Sequence, residues 1–405
     1  MARITTFGPV DPRALAQLGR CAEEAARAVL CADHHAGYSQ PIGGAIGYTR
    51  HISPSGVGYD IGCGNKAVLT DLRADQLPRG TIADWMDRIG REVPFGIGRT
   101  IARRIDHPVL DAIARAPFRP QRTLAQLAAS QLGTVGAGNH YVDLFRDEAG
   151  RIWVGVHFGS RGFGHRTASG FLSLARGRAF DAPGSEGGMD ASPTLLDVAG
   201  ELGQEYLAAM ELAGAYAHAG RDLVCAQVLE ILGARATDEV HNHHNFAWRE
   251  RHEGIDLWVV RKGCTPAFPG QRGFVGGSMG DISVILEGVA GPLSEEALHT
   301  TVHGAGRVMS RTQAAGKSKW VRDPATGRKM PRRVGKGAID WDATRADLRA
   351  RGIELRGADA DEAPGAYRRL PEVLAHHAGT IRILHTLMPL GVAMAGPDIE
   401  DPYRD

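Results

Sequence analysis

A chain of 405 residues, 43% hydrophobic and 23% charged, carries enough apolar mass to bury a large core, which excludes a disordered or collagen-like polymer. Five scattered cysteines without a CxxC pair argue against a disulfide framework. The formal net charge of +1 announces no polyanionic partner by itself.

The N-terminus lacks a basic–apolar–small leader pattern, and no apolar run reaches the roughly 18 residues of a membrane span, so a cytoplasmic chain with no membrane partner is expected. In chain order, Leu15, Leu18, Ala22, Ala25 and Val29 recur at helical spacing and predict an N-terminal amphipathic helix. Ile152–His157 reads as a strand running into a loop, Phe158–His165. The Leu-, Ala- and Glu-rich segment Thr194–Ala234 predicts one long or broken helix. Leu257–Val260 and Ile282–Leu286 are short β-branched runs that predict strands. The mixture is α+β, with no internal repeat and no composition break that cuts the chain in two. We expect one compact domain over 1–405, with mixed sheets surrounded by helices and a central metal-lined cleft. From Lys317 to Lys336, eight basic residues (Lys317, Lys319, Arg322, Arg328, Lys329, Arg332, Arg333, Lys336) face one acid, Asp323. That 316–336 stretch predicts a basic surface excursion able to bind phosphates or, equally, a solvated loop.

The 53 glycines and 17 histidines are the unusual feature of the composition. Glycines gather in short strings at Gly56–Gly64, Gly133–Gly138, Gly159–Gly164, Gly276–Gly280 and Gly304–Gly306, each containing or bordering a polar side chain. Such loops suit a ligand held by main-chain amides. Metal-type donors sit in or beside them: Asp60 and Cys63 in Gly58-Tyr-Asp-Ile-Gly-Cys-Gly64, His140 ending Gly136-Ala-Gly-Asn-His, His157 opening His-Phe-Gly-Ser-Arg161, and His241, His243 and His244 before Asn245. Taken singly, Cys63 reads best as a small core residue, His140 and His157 read better as hydrogen-bonded rings than as ligands, and the His241–His244 cluster reads as well as a surface run. Their joint occurrence points to metal. Thiolate with imidazole suits zinc and the added carboxylate admits manganese, and a bridging thiolate would make a two-metal centre of the kind used in phosphoryl transfer.

Thr301-Val-His-Gly-Ala-Gly-Arg-Val-Met-Ser-Arg311 completes the pattern. His303 precedes a small-residue turn and is followed by two arginines. A neutral imidazole can attack an activated phosphorus to give a phosphoramidate, while Arg161, Arg307 and Arg311 offer forks for phosphate or RNA oxygens. Equally, His303 caps a turn or hydrogen-bonds a phosphate.

Taken together, Asp60-Ile-Gly-Cys63, Gly138-Asn-His140, His157-Phe-Gly-Ser-Arg161, His244-Asn245, Arg261-Lys-Gly263, Gly277-Ser-Met-Gly280 and His303-Gly-Ala-Gly-Arg307 make the chain resemble the RtcB family of RNA ligases from about residue 30 to Gly396. The resemblance implies two Mn²⁺ ions, with Cys63 bridging, Asp60 on the metals, His140 on one ion, and His157 and His244 on the other. It implies GTP contacted by Asn139, His140, Tyr141, Val142, Asp143, His244, Asn245, Gly276, Gly277, Ser278, Met279, Ser283, His303, Gly304, Ala305 and Gly306, with His303 taking GMP covalently. The implied substrates are RNA ends bearing a 3′-phosphate or 2′,3′-cyclic phosphate and a 5′-hydroxyl, in tRNA splicing or RNA repair, with an archease-like protein as a possible activator.

Three departures bear on that expectation. The family's C-terminal lysine position holds Ala395 in Val392-Ala-Met-Ala-Gly396, followed by the extension Pro397–Asp405. Asp143 stands where the family has glutamate, and Gly276 where it has proline. A divergent paralogue with altered nucleotide handling is therefore expected. The alternatives are a metal-dependent RNA-end phosphodiesterase or cyclic-phosphate-opening enzyme that has lost ligation, and a non-catalytic RNA-end binding protein.

Overall fold

The computed structural model describes residues 2–397 apart from 103, 186 and 323–328, with the backbone alone for 329–331. The extension beyond Pro397 and the centre of the basic stretch, including Arg328, lie outside the described residues. Among the described residues no helix is long and apolar enough to cross a membrane.

The fold is α+β, built on two sheets. In the larger, strands run in the order Arg272–Val275, Ser283–Gly288, Ile381–Met394, Tyr141–Arg146, Arg151–Phe158, Gly64–Arg73 and Ala236–His243, all antiparallel, and Glu354–Arg356 joins Ile381–Met394 in parallel. The smaller sheet has the order Arg3–Thr6, Arg27–His35, Ile42–Tyr48, Ile255–Lys262 and Asn245–His252. Val68, Val154 and Val156 place β-branched side chains inside the larger sheet's core, as strands do. Residues 243–245 carry the chain from one sheet straight into the other. The loops that hold the glycine strings therefore collect where the sheets meet.

Helix Glu201–Leu232 spans both. Its last turns pack Val224, Val228 and Ile231 on the larger sheet. Its first half packs Tyr206, Met210 and Tyr216 against Phe163 and Phe171, in a cluster that includes Tyr48 and Val260 of the smaller sheet. It is the predicted long helix, unbroken over 32 residues but starting at Glu201 rather than Thr194, because Leu196–Asp197 pairs as a short strand with His51–Ile52; Gly233 ends it with φ 65°.

Two predicted elements need correction. The N-terminal helix is Pro12–Ala22, capped by Asp11, and Val29 belongs to the strand Arg27–His35. That strand is buried along nearly its whole length, so its continuous apolar run matches helical spacing by accident. Likewise the predicted loop Phe158–His165 shrinks to two residues, because helix Arg161–Leu174 starts at once. The basic stretch is a two-stranded excursion, Ser318–Arg322 paired antiparallel with Lys329–Arg333, with Lys317, Lys319, Arg332 and Lys336 exposed.

Candidate active site

Each donor loop emerges from a strand end, which fixes the direction of its side chain. Cys63 immediately precedes Gly64–Arg73, His157 lies one residue before the end of Arg151–Phe158, and His140 abuts Tyr141–Arg146. His244 sits between Ala236–His243 and Asn245–His252, its N–H and that of Asn245 donating to the Cys63 carbonyl at 2.8 and 3.2 Å. Neighbouring strands in one sheet lie about 4.8 Å apart, so donors remote in sequence become neighbours.

Two donor groups result, sharing Cys63: Asp60, Cys63 and His140, and Cys63, His157 and His244. Within each group the ligand atoms all lie within 4.8 Å of one another. Cys63 Sγ is 3.3 Å from His157 Nε2 and 3.8 Å from His140 Nε2, which is 3.1 Å from Asp60 Oδ2. His140 Nδ1 faces the Val135 carbonyl at 3.0 Å, which turns Nε2 toward the centre. No side chain fits at Gly159, where a Cβ would overlap the Asp60 carboxylate.

The electrostatics suit divalent ions. Burial lowers the pKa of His157 and His244 well below the ordinary range, reinforced by charge on His140 and His303 for the first and on His303 and His157 for the second. Both rings are therefore neutral, the form that ligates. Burial opposes the Asp60 carboxylate, but hydrogen bonding and charge from His140 outweigh it and hold its pKa below the usual range. Burial, then the Asp60 charge, pushes the Cys63 thiol well up, a cost that a coordinated cation reverses. His244 Nδ1 is buried without a hydrogen-bond partner among the described residues. A shared thiolate, an ionised carboxylate and the imidazoles of His140, His157 and His244 fit a pair of divalent ions.

His303 faces this centre. Its ring lies 4.9 Å from that of His244, and its Nδ1 is 2.6 Å from Asp33 Oδ2. The same oxygen accepts from the N–H groups of His303 and Gly304 at 3.1 and 3.3 Å. Burial opposes ionisation of Asp33, but the charge and hydrogen bonds of His303 keep its pKa below the ordinary value. In this pairing a neutral His303 ring carries its proton on Nδ1 and keeps the lone pair on Nε2. Gly306, with φ 73°, lets the turn close over Asp33, since a Cβ there would overlap the Asp33 carbonyl.

The remaining predicted residues divide. Arg161, at φ 54°, lies beside Gly136 and places NH1 3.3 Å from His140 Nδ1. Asn245 accepts from the Gly263 N–H at 2.7 Å. Gly276 pairs with Gly304 through a bridge and closes on Tyr141, whose hydroxyl a Cβ would overlap. Gly277 N donates to Ser283 Oγ at 3.1 Å, Ser278 accepts from Asp281 N, and Met279 and Ala305 are buried in apolar clusters. Asn139 is half-buried. Val142 points into the core with Val68 and Val154. Asp143 is buried, and that burial raises its pKa well above the ordinary value. Arg307 and Arg311 converge on Asp361 and Glu362, with Arg311 NH1 3.2 Å from Asp361 Oδ2 and Arg307 NH1 2.8 Å from the Tyr367 hydroxyl. Arg311 also lies against Gly138. His241 and His243 stand apart from the donor groups, on Arg221.

Sequence reasoning missed Asp33 and Arg221. Arg221 is wholly buried on the long helix; NH1 donates to the Gly62 and Phe158 carbonyls, Nε to His241 and NH2 faces His243 at 2.9 Å. It thereby clamps the loops that carry Cys63 and His157. A charged residue inside the apolar run Val29-Leu-Cys-Ala-Asp33, and another inside an Ala-Leu helix, were the available signals.

An α+β scaffold that gathers a carboxylate, a thiolate and imidazoles beside a carboxylate-oriented histidine defines a candidate metal-binding class of site. Comparison with known proteins gives the family. A family profile described as tRNA-splicing ligase RtcB matches residues 15–121 and 112–323. The chain is 30% identical to the tRNA-splicing ligase RtcB of Thermococcus kodakarensis, over 90% of this chain and 87% of that protein. It is 31% identical to the RNA-splicing ligase RtcB of Escherichia coli, over 88% and 86%, and 29% identical to the tRNA-splicing ligase RtcB of Archaeoglobus fulgidus, over 89% and 86%. The chain belongs to the RtcB family.

Proposed function

We propose that this chain is a cytoplasmic RNA ligase that uses GTP and Mn²⁺ to join a 3′-phosphate, or a 2′,3′-cyclic phosphate once opened, to a 5′-hydroxyl through GMP bound to His303, with an archease-like protein as its accessory. The observation that carries the reading is the position of His303, 4.9 Å ring to ring from His244 and oriented by Asp33.

Asp60, Cys63 and His140 would hold one divalent ion, and Cys63, His157 and His244 the other; when bound, the ions neutralise phosphate charge as Lewis acids. Asp33 keeps the proton on Nδ1 of His303, so the Nε2 lone pair attacks the α-phosphorus of GTP. An N–P bond forms, the bond to the β-phosphate oxygen breaks, and pyrophosphate leaves. As Nε2 is phosphorylated the Nδ1–H becomes more acidic, and Asp33 steadies the charge. An oxygen of the RNA 3′-phosphate then displaces His303 from GMP. The 5′-hydroxyl attacks the 3′-phosphorus, GMP departs and a 3′,5′-phosphodiester remains. Arg161, held beside His140, offers a guanidinium to a phosphate in this space.

Incubation with Mn²⁺ and GTP radiolabelled at the α-phosphate tests the reading. It expects a covalent adduct that is absent in His303→Ala, and a joined product from RNA ends of the stated chemistry. Labelling that survives His303→Ala removes the histidine from its role. Cyclic-phosphate opening without GTP and without joined product would assign the chain to the phosphodiesterase reading instead.

A further inference from the structure

Away from the cleft, two neighbouring buried histidines each carry a ring nitrogen without a hydrogen-bond partner among the described residues. We propose that His252, His299 and Glu295 form a separate site for a transition-metal ion of the zinc type, which ties the segment upstream of His303 to the smaller sheet.

His252 ends the strand Asn245–His252, at whose other end stands Asn245, next to His244. Seven strand steps put about 23 Å between them, so this is not the cleft. The His252 side chain is wholly buried, and its Nε2 lies 2.8 Å from Glu250 Oε2. Glu250 is itself fixed by Arg261, with NH1 and NH2 donating at 2.6 and 3.0 Å. That carboxylate sets the tautomer: Nε2 donates and Nδ1 keeps its lone pair. His252 Nδ1 has no hydrogen-bond partner among the described residues.

His299 meets it from an uncommon backbone. Leu298 and His299 are consecutive non-glycine residues at φ 51° and 43°, a left-handed conformation that side chains disfavour. The turn brings the two rings to 5.5 Å. His299 Nε2 lies 3.1 Å from Glu295 Oε1, while its Nδ1, like that of His252, is buried without a partner among the described residues. A ring nitrogen of each histidine and a carboxylate oxygen of Glu295 all lie within 4.8 Å of one another.

Two desolvated imidazole nitrogens with nothing to accept from cost free energy unless a cation satisfies them. Two imidazoles and a carboxylate form the three-ligand set of zinc sites that keep a fourth position open. Glu250 behind His252 supplies the carboxylate that orients a ligating imidazole in such centres. Glu295 is half-exposed, which gives the ion an entry path. The nearby cations are committed elsewhere: Arg261 to Glu250, and Arg27 to the Glu295 carbonyl and Glu253. The cluster His218, Asp222 and His241 differs in this respect, because the Lys66 ammonium already occupies Asp222 at 2.6 Å. A bound ion would pin helix Pro292–Glu296 and His299 to the end of the hairpin, directly before the strand Thr300–Val302 that leads into His303.

The test uses the full chain with the cleft disabled by Cys63→Ala and His157→Ala, dialysed against Zn²⁺ alone. One retained equivalent is expected, accompanied by a higher melting temperature. Adding Glu295→Gln, a change on a half-exposed side chain with retention of the fold checked by circular dichroism, should weaken binding by about tenfold or more, as His252→Asn should. Retention of no zinc by the cleft-disabled chain, or zinc affinity unchanged by Glu295→Gln, overturns the proposal.

Discussion

Asp33→Asn isolates the part of the site on which the nucleophile depends. Asp33 Oδ2 receives three donors, His303 Nδ1 at 2.6 Å and the N–H groups of His303 and Gly304 at 3.1 and 3.3 Å. The amide keeps the shape. It loses the charge, and if its nitrogen faces the turn it sets a donor against three donors. Hydrogen bonds to a charged acceptor contribute about 1.5–3 kcal/mol, so the rate of GMP transfer to His303 should fall by roughly 10- to 150-fold. Because Asp33 acts through the ring rather than on GTP, the loss should appear in the rate of adduct formation at saturating GTP, with the half-saturating concentration little changed. Single-turnover adduct formation measures this, alongside the melting temperature. A rate within twofold of wild type, with the chain folded and His303→Ala inactive, would refute the idea that this carboxylate prepares the histidine.

Three further outcomes follow from other parts of the fold. Gly276→Ala should slow nucleotide transfer, because its Cβ overlaps the buried Tyr141 hydroxyl, and the added substitution Tyr141→Phe should restore much of the rate; no rescue would show that the clash is not the cause. His377 accepts from the Ala32 N–H at 3.2 Å and stacks on Phe7, and burial brings its pKa down to about 4. The unfolded chain takes up this proton below its ordinary pKa of about 6.5, so stability falls as pH drops from 6.5 to 4, by about 3 kcal/mol from this group; denaturant titrations of His377→Gln should show a correspondingly shallower acid loss. Replacing Lys317, Lys319, Arg332 and Lys336, all exposed, with glutamine should weaken RNA binding and flatten its salt dependence by about 0.7 in slope for each phosphate no longer neutralised. Equal slopes for the two proteins would place RNA elsewhere.

Much of the candidate site was legible because glycine and donor residues mark strand ends. Asp60, Cys63, His140, His157 and His244 each sit where a strand enters or leaves a turn, and the two sheets do the rest. Asp33 offered only one local signal, a charge within a buried apolar strand; its role exists through His303, 270 positions away. Arg221 was hidden in the same way within a helix, where its partners lie on three other segments. The separation of His244 from His241 and His243 follows from strand alternation and the Arg221 clamp, neither of which spacing reveals. Arg307 and Arg311 read as anion holders until Asp361 and Glu362, from a segment with no recognisable pattern, are seen to neutralise them. The helix expected to reach Val29 failed for a different reason: a fully buried strand has no polar face to show its period.

Anomalous diffraction from Mn²⁺-soaked crystals of the full chain would test the centre itself. Two peaks are predicted, one against Asp60, Cys63 and His140 and the other against Cys63, His157 and His244, both facing the Nε2 side of His303. Manganese bound away from Cys63, or a pair of ions screened from His303 by protein, would contradict the account.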